Sequence, residues 1–361
     1  MENKYHKIFL NNKRILITGG AGFIGGALIR NLLKFTNSTI FNLDKISYCS
    51  DLTSINDCLR SNKELKERYF FLKVDLRDFN KLEEVLEYSN PDIIFHLAAE
   101  SHVDKSIQNP RVFIENNIIG SLNIIEQSLR HYNQLNSLRK DKFKFIHLST
   151  DEVFGSLLEG FYFDEKSNYN PSSPYSASKA CCDFLVNAWT KTYELPTINV
   201  NCTNNYGPWQ FPEKLIPLAF MKAIKGESIP LYGDGSNFRD WLFVDDNIDA
   251  LISIALYGKL GVSYLIGCKT QISNNDVILK ICNFLNHHMP RNYNYQSLIK
   301  NVEDRPGHDF GYSIDPKKIK NELNWSPKYD FDKGLEETLK WYLKNISWCE
   351  KVLSYSLSNP N

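Results

Sequence analysis

Short apolar runs alternate with longer amphipathic stretches through the first half of the chain. The runs are Ile15 to Ile17, Thr39 to Leu43, Tyr69 to Val74, Asp92 to Leu97 and Phe143 to Ser149. Each is short, continuous and bounded by turn residues, the pattern of a strand buried on both faces. The stretches between them repeat apolar residues with helical period, which predicts helices over Phe23 to Phe35, Lys81 to Tyr88 and Phe113 to Tyr132. Strand–helix–strand alternation of this kind predicts an α/β protein with a doubly wound parallel sheet. The second half is less regular and is punctuated by Pro171, Pro174, Pro208, Pro212, Pro217 and Pro230. Thr197 to Asn201 and Trp241 to Val244 are candidates to extend the sheet. Segments 212–232 and 274–314 fit it poorly and predict a smaller C-terminal substrate-binding lobe. The expected division is a main domain over 1–207, with 236–267 returning to it, and a lobe over 208–235 and 268–344. The tail, 345–361, reads as a helix end followed by a frayed terminus.

In such a sheet ligands lie beyond the carboxyl ends of the strands. Polar residues follow the predicted strands in register: Asp44, Asp75, Glu100-Ser101 and Thr150-Asp151-Glu152. Each alone reads equally well as a helix cap or turn residue. The first strand runs into KRILITGGAGFIG, where Gly19, Gly22 and Gly25 have the spacing G-x-x-G-x-x-G. Glycine suits a tight turn that takes positive φ or approaches a ligand closely. The helix after it turns its first N–H groups and the positive end of its dipole toward the turn, which favours a diphosphate. Asp44 ends the second strand, 25 positions after Gly19, close to the spacing of a ribose-binding carboxylate. An acid there favours a free 2′-hydroxyl, hence NAD over NADP, and Lys45 beside it weakens that preference.

Composition narrows the classes. Lys+Arg and Asp+Glu both number 42, so no global field draws the chain to nucleic acid or a membrane surface. No apolar run approaches the roughly 18 residues a membrane helix needs. The first residues, MENKYHKIFLNNKR, are too polar for a secretory signal. Eight cysteines are scattered without a C-x-x-C, so neither a metal site nor a redox pair is indicated and a reduced, cytoplasmic protein is expected.

Tyr175 and Lys179 lie one helical turn apart in PSSPYSASKACCDFLVNAW. A phenol has an ordinary pKa of about 10, and an ammonium one turn away favours the phenolate. The pair can take a proton from a hydroxyl as hydride leaves its carbon. A bare Y-x-x-x-K on a surface helix is the commoner case; a preceding dinucleotide-binding half reverses that weighting.

The order TGGAGFIG then YSASK resembles the extended short-chain dehydrogenase/reductase superfamily, with its Rossmann-type fold. Within it the chain is similar to the nucleotide-sugar 4,6-dehydratases. HLAAESHVDKSI, STDEVFG, NNYGPWQFPEKLIP, PLYGDGSNFRDWLFVDD and DRPGHD carry the likeness over nearly the whole chain. The resemblance implies that Tyr175, helped by Lys179, takes the O4 proton of the sugar while C4 hydride passes to NAD, and that Thr150 bonds the same oxygen. It implies Glu152 as the base at C5 and Asp151 as the donor to O6 when water leaves. For the cofactor it implies Gly19, Gly22, Phe23, Ile24 and Gly25 at the turn, and Asp44, Lys45, Ile46 and Ser47 at the ribose. Asp75 and Leu76 would lie near adenine, Leu97, Ala98, Ala99, Ser101 and Asn116 along the cofactor, and Asn205 near the nicotinamide, with Tyr175 and Lys179. For the nucleotide sugar it implies Ser101, Thr150, Asn204, Lys214, Leu215, Pro230, Leu231, Tyr232, Arg239, Asn274, Asp304, Arg305 and His308. Arginine forks suit a diphosphate.

Three positions depart from the family pattern: Phe154 for a common tyrosine, Gly311 for a frequent arginine and Asn116 for a frequent threonine. A 4-epimerase or decarboxylase of the same superfamily acting on a UDP-sugar would use Tyr175, Lys179 and NAD but would not need both Asp151 and Glu152, and a UDP-sugar 4,6-dehydratase is a further alternative. A catalytically idle protein that senses NAD or a nucleotide sugar is the alternative outside enzymes. Relatives of this kind pair through two helices per subunit, here Phe113 to Tyr132 and Tyr175 to Tyr193, which implies a homodimer.

Overall fold

The computed structural model describes residues 10–60 and 62–358. Most of the polar N-terminal stretch read above, residues 1–9, lies outside them, as do 359–361 of the tail. Seven strands form one parallel sheet, in the spatial order Ser263–Ile266, Thr197–Cys202, Lys144–Thr150, Ile93–His96, Arg14–Thr18, Thr39–Leu43, Tyr69–Leu72. Alternate residues of each strand face opposite sides. Ile15 and Ile17 pack with Ile40, Phe95 and Ile146 under the helices Phe23–Phe35 and Val244–Tyr257. Leu16 joins Phe41, Ile94 and Phe145 under Phe79–Ser89 and Gly120–Gln134. Covering both faces explains why the strands read as continuous apolar runs and not as alternation. The architecture is the Rossmann-type doubly wound sheet expected. Strand order reverses between Arg14–Thr18 and Ile93–His96, where a crevice opens at the carboxyl ends.

A separate core lies at that end of the sheet. It gathers Phe220, Ile224, Ile278, Ile281, Tyr295, Tyr342 and Trp348 from the helices Leu215–Lys225, Asn274–His288, Phe331–Lys344 and Ile346–Ser358 and the short helix Tyr295–Leu298.

Several expectations need correction. Trp241–Phe243 does not extend the sheet; it pairs in parallel with Asn204–Tyr206 in a small separate ribbon. The buried carboxylate of Asp240, just before it, accepts the amides of Cys268, Lys269 and Thr270 and ties the segment to the loop after Ser263–Ile266. That strand takes the sheet edge instead, against Thr197–Cys202. The strand begun at Tyr69 stops at Leu72. The expected helix Phe113 to Tyr132 is Pro110–Phe113, a π-helical turn Ile114–Ile119, then Gly120–Gln134. The tail is not frayed over its described part: Ile346–Ser358 is helical, and Trp348, Cys349 and Val352 are buried in the second core.

Candidate active site

One cleft of about 660 Å3 runs from the glycine turn to the second lobe, within the size range of ligand sites. At its sheet end Gly19 has φ +72°, and a Cβ there would sit 2.7 Å from the Ala98 backbone; a Cβ on Gly25 would sit 2.3 Å from the Gly19 carbonyl oxygen. Glycine is therefore required at both. Gly22 caps the helix Phe23–Phe35 without a side chain, so the first-turn amides stay open toward an anion. Asp44, at the end of the second strand, is fixed by donors on both oxygens: Ala21 N–H at 3.0 Å on one, Ile46 N–H at 2.8 Å and the Ser50 hydroxyl at 3.2 Å on the other. Burial raises its pKa and those donors oppose the rise. Lys45 is drawn away from it, donating to Glu100 Oε1 at 2.9 Å and Asn116 Oδ1 at 3.0 Å. This cradle fits a dinucleotide. Among the described residues no group of His, Cys, Asp and Glu side chains is placed to hold a metal ion, and no helix is long and apolar enough to cross a membrane.

The middle of the cleft joins two elements. Strand Lys144–Thr150 ends in Thr150 and turns directly into a 3-10 helix, Asp151–Phe154. Helix Pro174–Tyr193 starts beside it with proline in its first turn and a capping box made by Ser173 and Ser176. Both Tyr175 and Lys179 therefore reach the end of the sheet, with Lys179 Nζ donating to the Leu148 carbonyl at 2.8 Å. The buried surroundings of Tyr175 oppose the phenolate expected beside Lys179. Burial and the Glu152 carboxylate push the Tyr175 pKa well above its ordinary value, and Thr150 only partly opposes them. Glu152 is also raised by burial, against Arg239, Arg305 and Lys214, which stabilise its charge. Asp151 is pushed well above its ordinary value by burial, then by Glu152 and Asp240, which favours its protonated form.

At the lobe end Arg239 is buried, bonds His308 Nε2 at 3.0 Å and lies 4.6 Å over the Tyr312 ring. Arg305 pairs with Asp104 at 2.9 Å, and its buried Nε has no partner, a donor left for a ligand. Lys214 spans the cleft to the Ser101 carbonyl at 2.9 Å.

Three expected site residues do not line the cleft. Asp151 is 1% exposed and lies beneath it, accepting the Thr150 hydroxyl at 3.1 Å. Ile46 contributes only its amide, from a left-handed backbone at φ +60°. Asp304 acts behind His308, whose Nδ1 is 2.6 Å away. All the others do line it: Gly19, Gly22, Phe23, Ile24, Gly25, Asp44, Lys45, Ser47, Asp75, Leu76, Leu97, Ala98, Ala99, Ser101, Asn116, Thr150, Glu152, Tyr175, Lys179, Asn204, Asn205, Lys214, Leu215, Pro230, Leu231, Tyr232, Arg239, Asn274, Arg305 and His308. Sequence reasoning missed Asp104, Gln210, Glu213 and Tyr312, which also line it; each lies within or beside a motif already noticed. Phe154 stays out of the lining, packed on Phe163 and Tyr169. A side chain at Gly311 would collide with the Phe238 ring, which occupies the space an arginine would need.

A Rossmann-type sheet with a second lobe, a glycine turn facing an acid-tipped second strand, and a Tyr-Lys helix beside a Thr-Asp-Glu turn define an extended short-chain dehydrogenase/reductase. More narrowly, the family model described as GDP-mannose 4,6 dehydratase matches residues 16–338, and the chain belongs to that family. It is 45% identical to the dTDP-glucose 4,6-dehydratase of Shigella flexneri over 94% of this chain and 96% of that one. A crystal structure of dTDP-glucose 4,6-dehydratase from Streptomyces venezuelae, determined with NAD bound, superposes with a TM-score of 0.84 at 35% identity, covering 94% of this chain and 99% of that one. UDP-glucose 4-epimerase from Thermotoga maritima superposes at 0.79 with 25% identity over 92% and 99%, so the fold alone does not select the reaction.

Proposed function

We propose that this protein converts dTDP-glucose to dTDP-4-keto-6-deoxyglucose and water. The observation that carries the reading is the Thr150-Asp151-Glu152 turn beside Tyr175, with the Glu152 carboxyl open to the cleft and the Asp151 carboxyl buried beneath it, its pKa pushed up by burial and Glu152. An epimerase needs the tyrosine and lysine but has no use for that pair. When bound, NAD accepts a hydride from C4 of the sugar and returns one to C6, and its oxidised nicotinamide carries positive charge. The chain's own groups handle the protons. Tyr175 takes the O4 proton, with Lys179 fixed behind it and Thr150 bonding the same oxygen. The C4 ketone acidifies C5–H, and Glu152 removes that proton. The family likeness gives Asp151 the proton with which O6 departs as water, a role that requires its carboxyl to turn up from beneath the cleft floor toward the sugar, and Glu152 returns its proton to C5. Neighbouring carboxyls divide acid and base work in this way when their surroundings separate their pKa values. Arg239, Arg305 and Lys214 neutralise the diphosphate.

We propose further that the protein works as a homodimer in the cytoplasm. None of its eight cysteines is joined in a disulfide, which suits a reducing compartment. Ile114, Ile119, Phe184 and Tyr193 lie exposed along helices that pack on each other, and they suit a two-fold contact.

The decisive experiment separates oxidation from elimination. Glu152→Gln keeps the shape of the site and removes the C5 base. The variant should form a 4-keto hexose nucleotide without loss of water by mass, and should not exchange the C5 proton with deuterium from solvent. Exchange and turnover at the wild-type rate would sink the dehydratase assignment.

A further inference from the structure

We infer that Trp348 and Tyr48 form a clasp that closes the cofactor's ribose loop against the second lobe and slows release of the dinucleotide. The inference rests on the reading of this cleft as an NAD site. The loop is 44–52, between the strand Thr39–Leu43 and the helix Thr53–Arg60. Its inner side belongs to the glycine turn: Asp44 accepts from Ala21 N–H, and Asp51 N–H donates to the Ala21 carbonyl at 2.8 Å. Its outer side belongs to the other lobe. Tyr48 is 7% exposed, sits in the second core edge-on to Phe211, and donates its hydroxyl to Glu213 Oε1 at 2.9 Å. At the far end of the loop, Trp348 Nε1 donates to Asp51 Oδ2 at 2.9 Å.

Trp348 is itself held. Its ring meets Trp209 at 5.2 Å and Trp341 at 5.4 Å. Trp209 follows the Asn204–Tyr206 strand, and Trp341 belongs to the preceding helix, Phe331–Lys344. A second, narrow cavity behind the loop is lined by Gly22, Phe23, Cys49, Asp51, Trp209 and Trp348, so the C-terminal helix reaches the back of the glycine turn. The loop that carries the ribose carboxylate thus moves outward only if it breaks bonds to two distant segments. Neither Tyr48 nor Trp348 lines the main cleft; both are positioning residues that act through the loop. A cofactor reduced and reoxidised within one turnover has no need to leave, and a closed loop suits that economy.

The test uses the full chain and three variants: Trp348→Phe, which removes the N–H and keeps a ring, Tyr48→Phe, which removes the hydroxyl, and both together. NAD release is followed after dilution into excess competing nucleotide, with melting temperature, turnover at saturating NAD and nucleotide-sugar KM measured alongside. Each lost bond should speed release several-fold and the double change about tenfold or more. Turnover at saturating NAD and the sugar KM should stay within about twofold of wild type, with the melting curve still cooperative. Unchanged release in the folded double variant overturns the clasp. A fall in turnover that added NAD does not restore also overturns it, because the residues then serve the fold in general. Should Trp348→Phe melt below the assay temperature, Tyr48→Phe alone decides by the same measurements. Failure of the wild-type protein to remove water from dTDP-glucose would defeat the proposed function and leave the release measurement standing by itself.

Discussion

Asp151 and Glu152 are neighbours in sequence with different surroundings. Glu152 lines the cleft facing Arg239, Arg305 and Lys214, whereas Asp151 is sealed beneath it with Asp240 as its further anionic neighbour. Burial pushes both upward from the usual carboxylate range. Glu152 must be ionised to act, so turnover should rise as pH climbs through its raised pKa. Asp151 must be protonated, so turnover should fall as pH climbs through the higher value that burial and Glu152 impose. The result is a bell whose two apparent pKa values belong to the pair. Measuring kcat against pH checks this: the acid limb should lie above the ordinary pKa of a glutamic acid, about 4.3. A profile flat down to that pH would remove Glu152 from the base role. The roles of these two acids were legible only through the family likeness. Their opposite environments were not, because Asp240 comes from a distant loop that a linear pattern does not bring near Asp151.

At the scale of elements, the glycine turn was the most legible feature, and adjacent glycines in it make opposite predictions. A Cβ on Gly25 would lie 2.3 Å from the Gly19 carbonyl oxygen and 2.8 Å from the Gly20 Cα, backbone that cannot move aside. Gly25→Ala should destabilise the fold by about 1–3 kcal/mol and abolish NAD binding. Gly26, one residue on, is inside the helix, and its nearest contacts are flexible side-chain ends of Arg30 and Ser54 at 3.4 Å. Gly26→Ala should be neutral or stabilise by up to about 1 kcal/mol through helix propensity. Denaturant melts and NAD titration of the two variants check the pair, and equal effects would contradict the packing described. Other elements were hidden for physical reasons. Thr53–Arg60 and Val103–Gln108 are short helices whose apolar periodicity is too brief to register. The strand Ser263–Ile266 is a four-residue run that periodicity cannot assign. The π turn Ile114–Ile119 leaves no trace in propensity, yet it turns two consecutive asparagines to use. Asn116 accepts from Lys45, while Asn117 bonds both backbone groups of Glu100 and the Ser178 hydroxyl. Wide turns of this kind recur at functional sites.

At the scale of the molecule, the irregular second half signalled a lobe but not how its parts meet the sheet. Those meetings are polar and long-range, such as Lys214 to Ser101 and Arg305 to Asp104, and no local pattern encodes them. The same scale carries the prediction of a dimer. Cys181, Phe184 and Ala188 form an exposed row with helical spacing on Pro174–Tyr193, beside Ile114 and Ile119 on the neighbouring helix. Phe184 is 60% exposed, a cost to a monomer that a matching face removes. In a two-fold contact each residue counts twice. Fully burying a phenylalanine is worth about 1.5–3 kcal/mol, so the exposed part of Phe184 is worth about 1–2 kcal/mol, and Phe184→Asp removes about 2–4 kcal/mol per dimer before the added cost of two buried charges. At 1.4 kcal/mol per decade, the dimer dissociation constant should rise by at least about twentyfold. Sedimentation at micromolar concentration should give twice the chain mass for the wild type and a single chain mass for Phe184→Asp. The carboxylate faces solvent in the monomer, so the variant should keep its fold and its bound NAD. A single chain mass for the wild type would refute the dimer, and an undiminished dimer in Phe184→Asp would move the interface to another face.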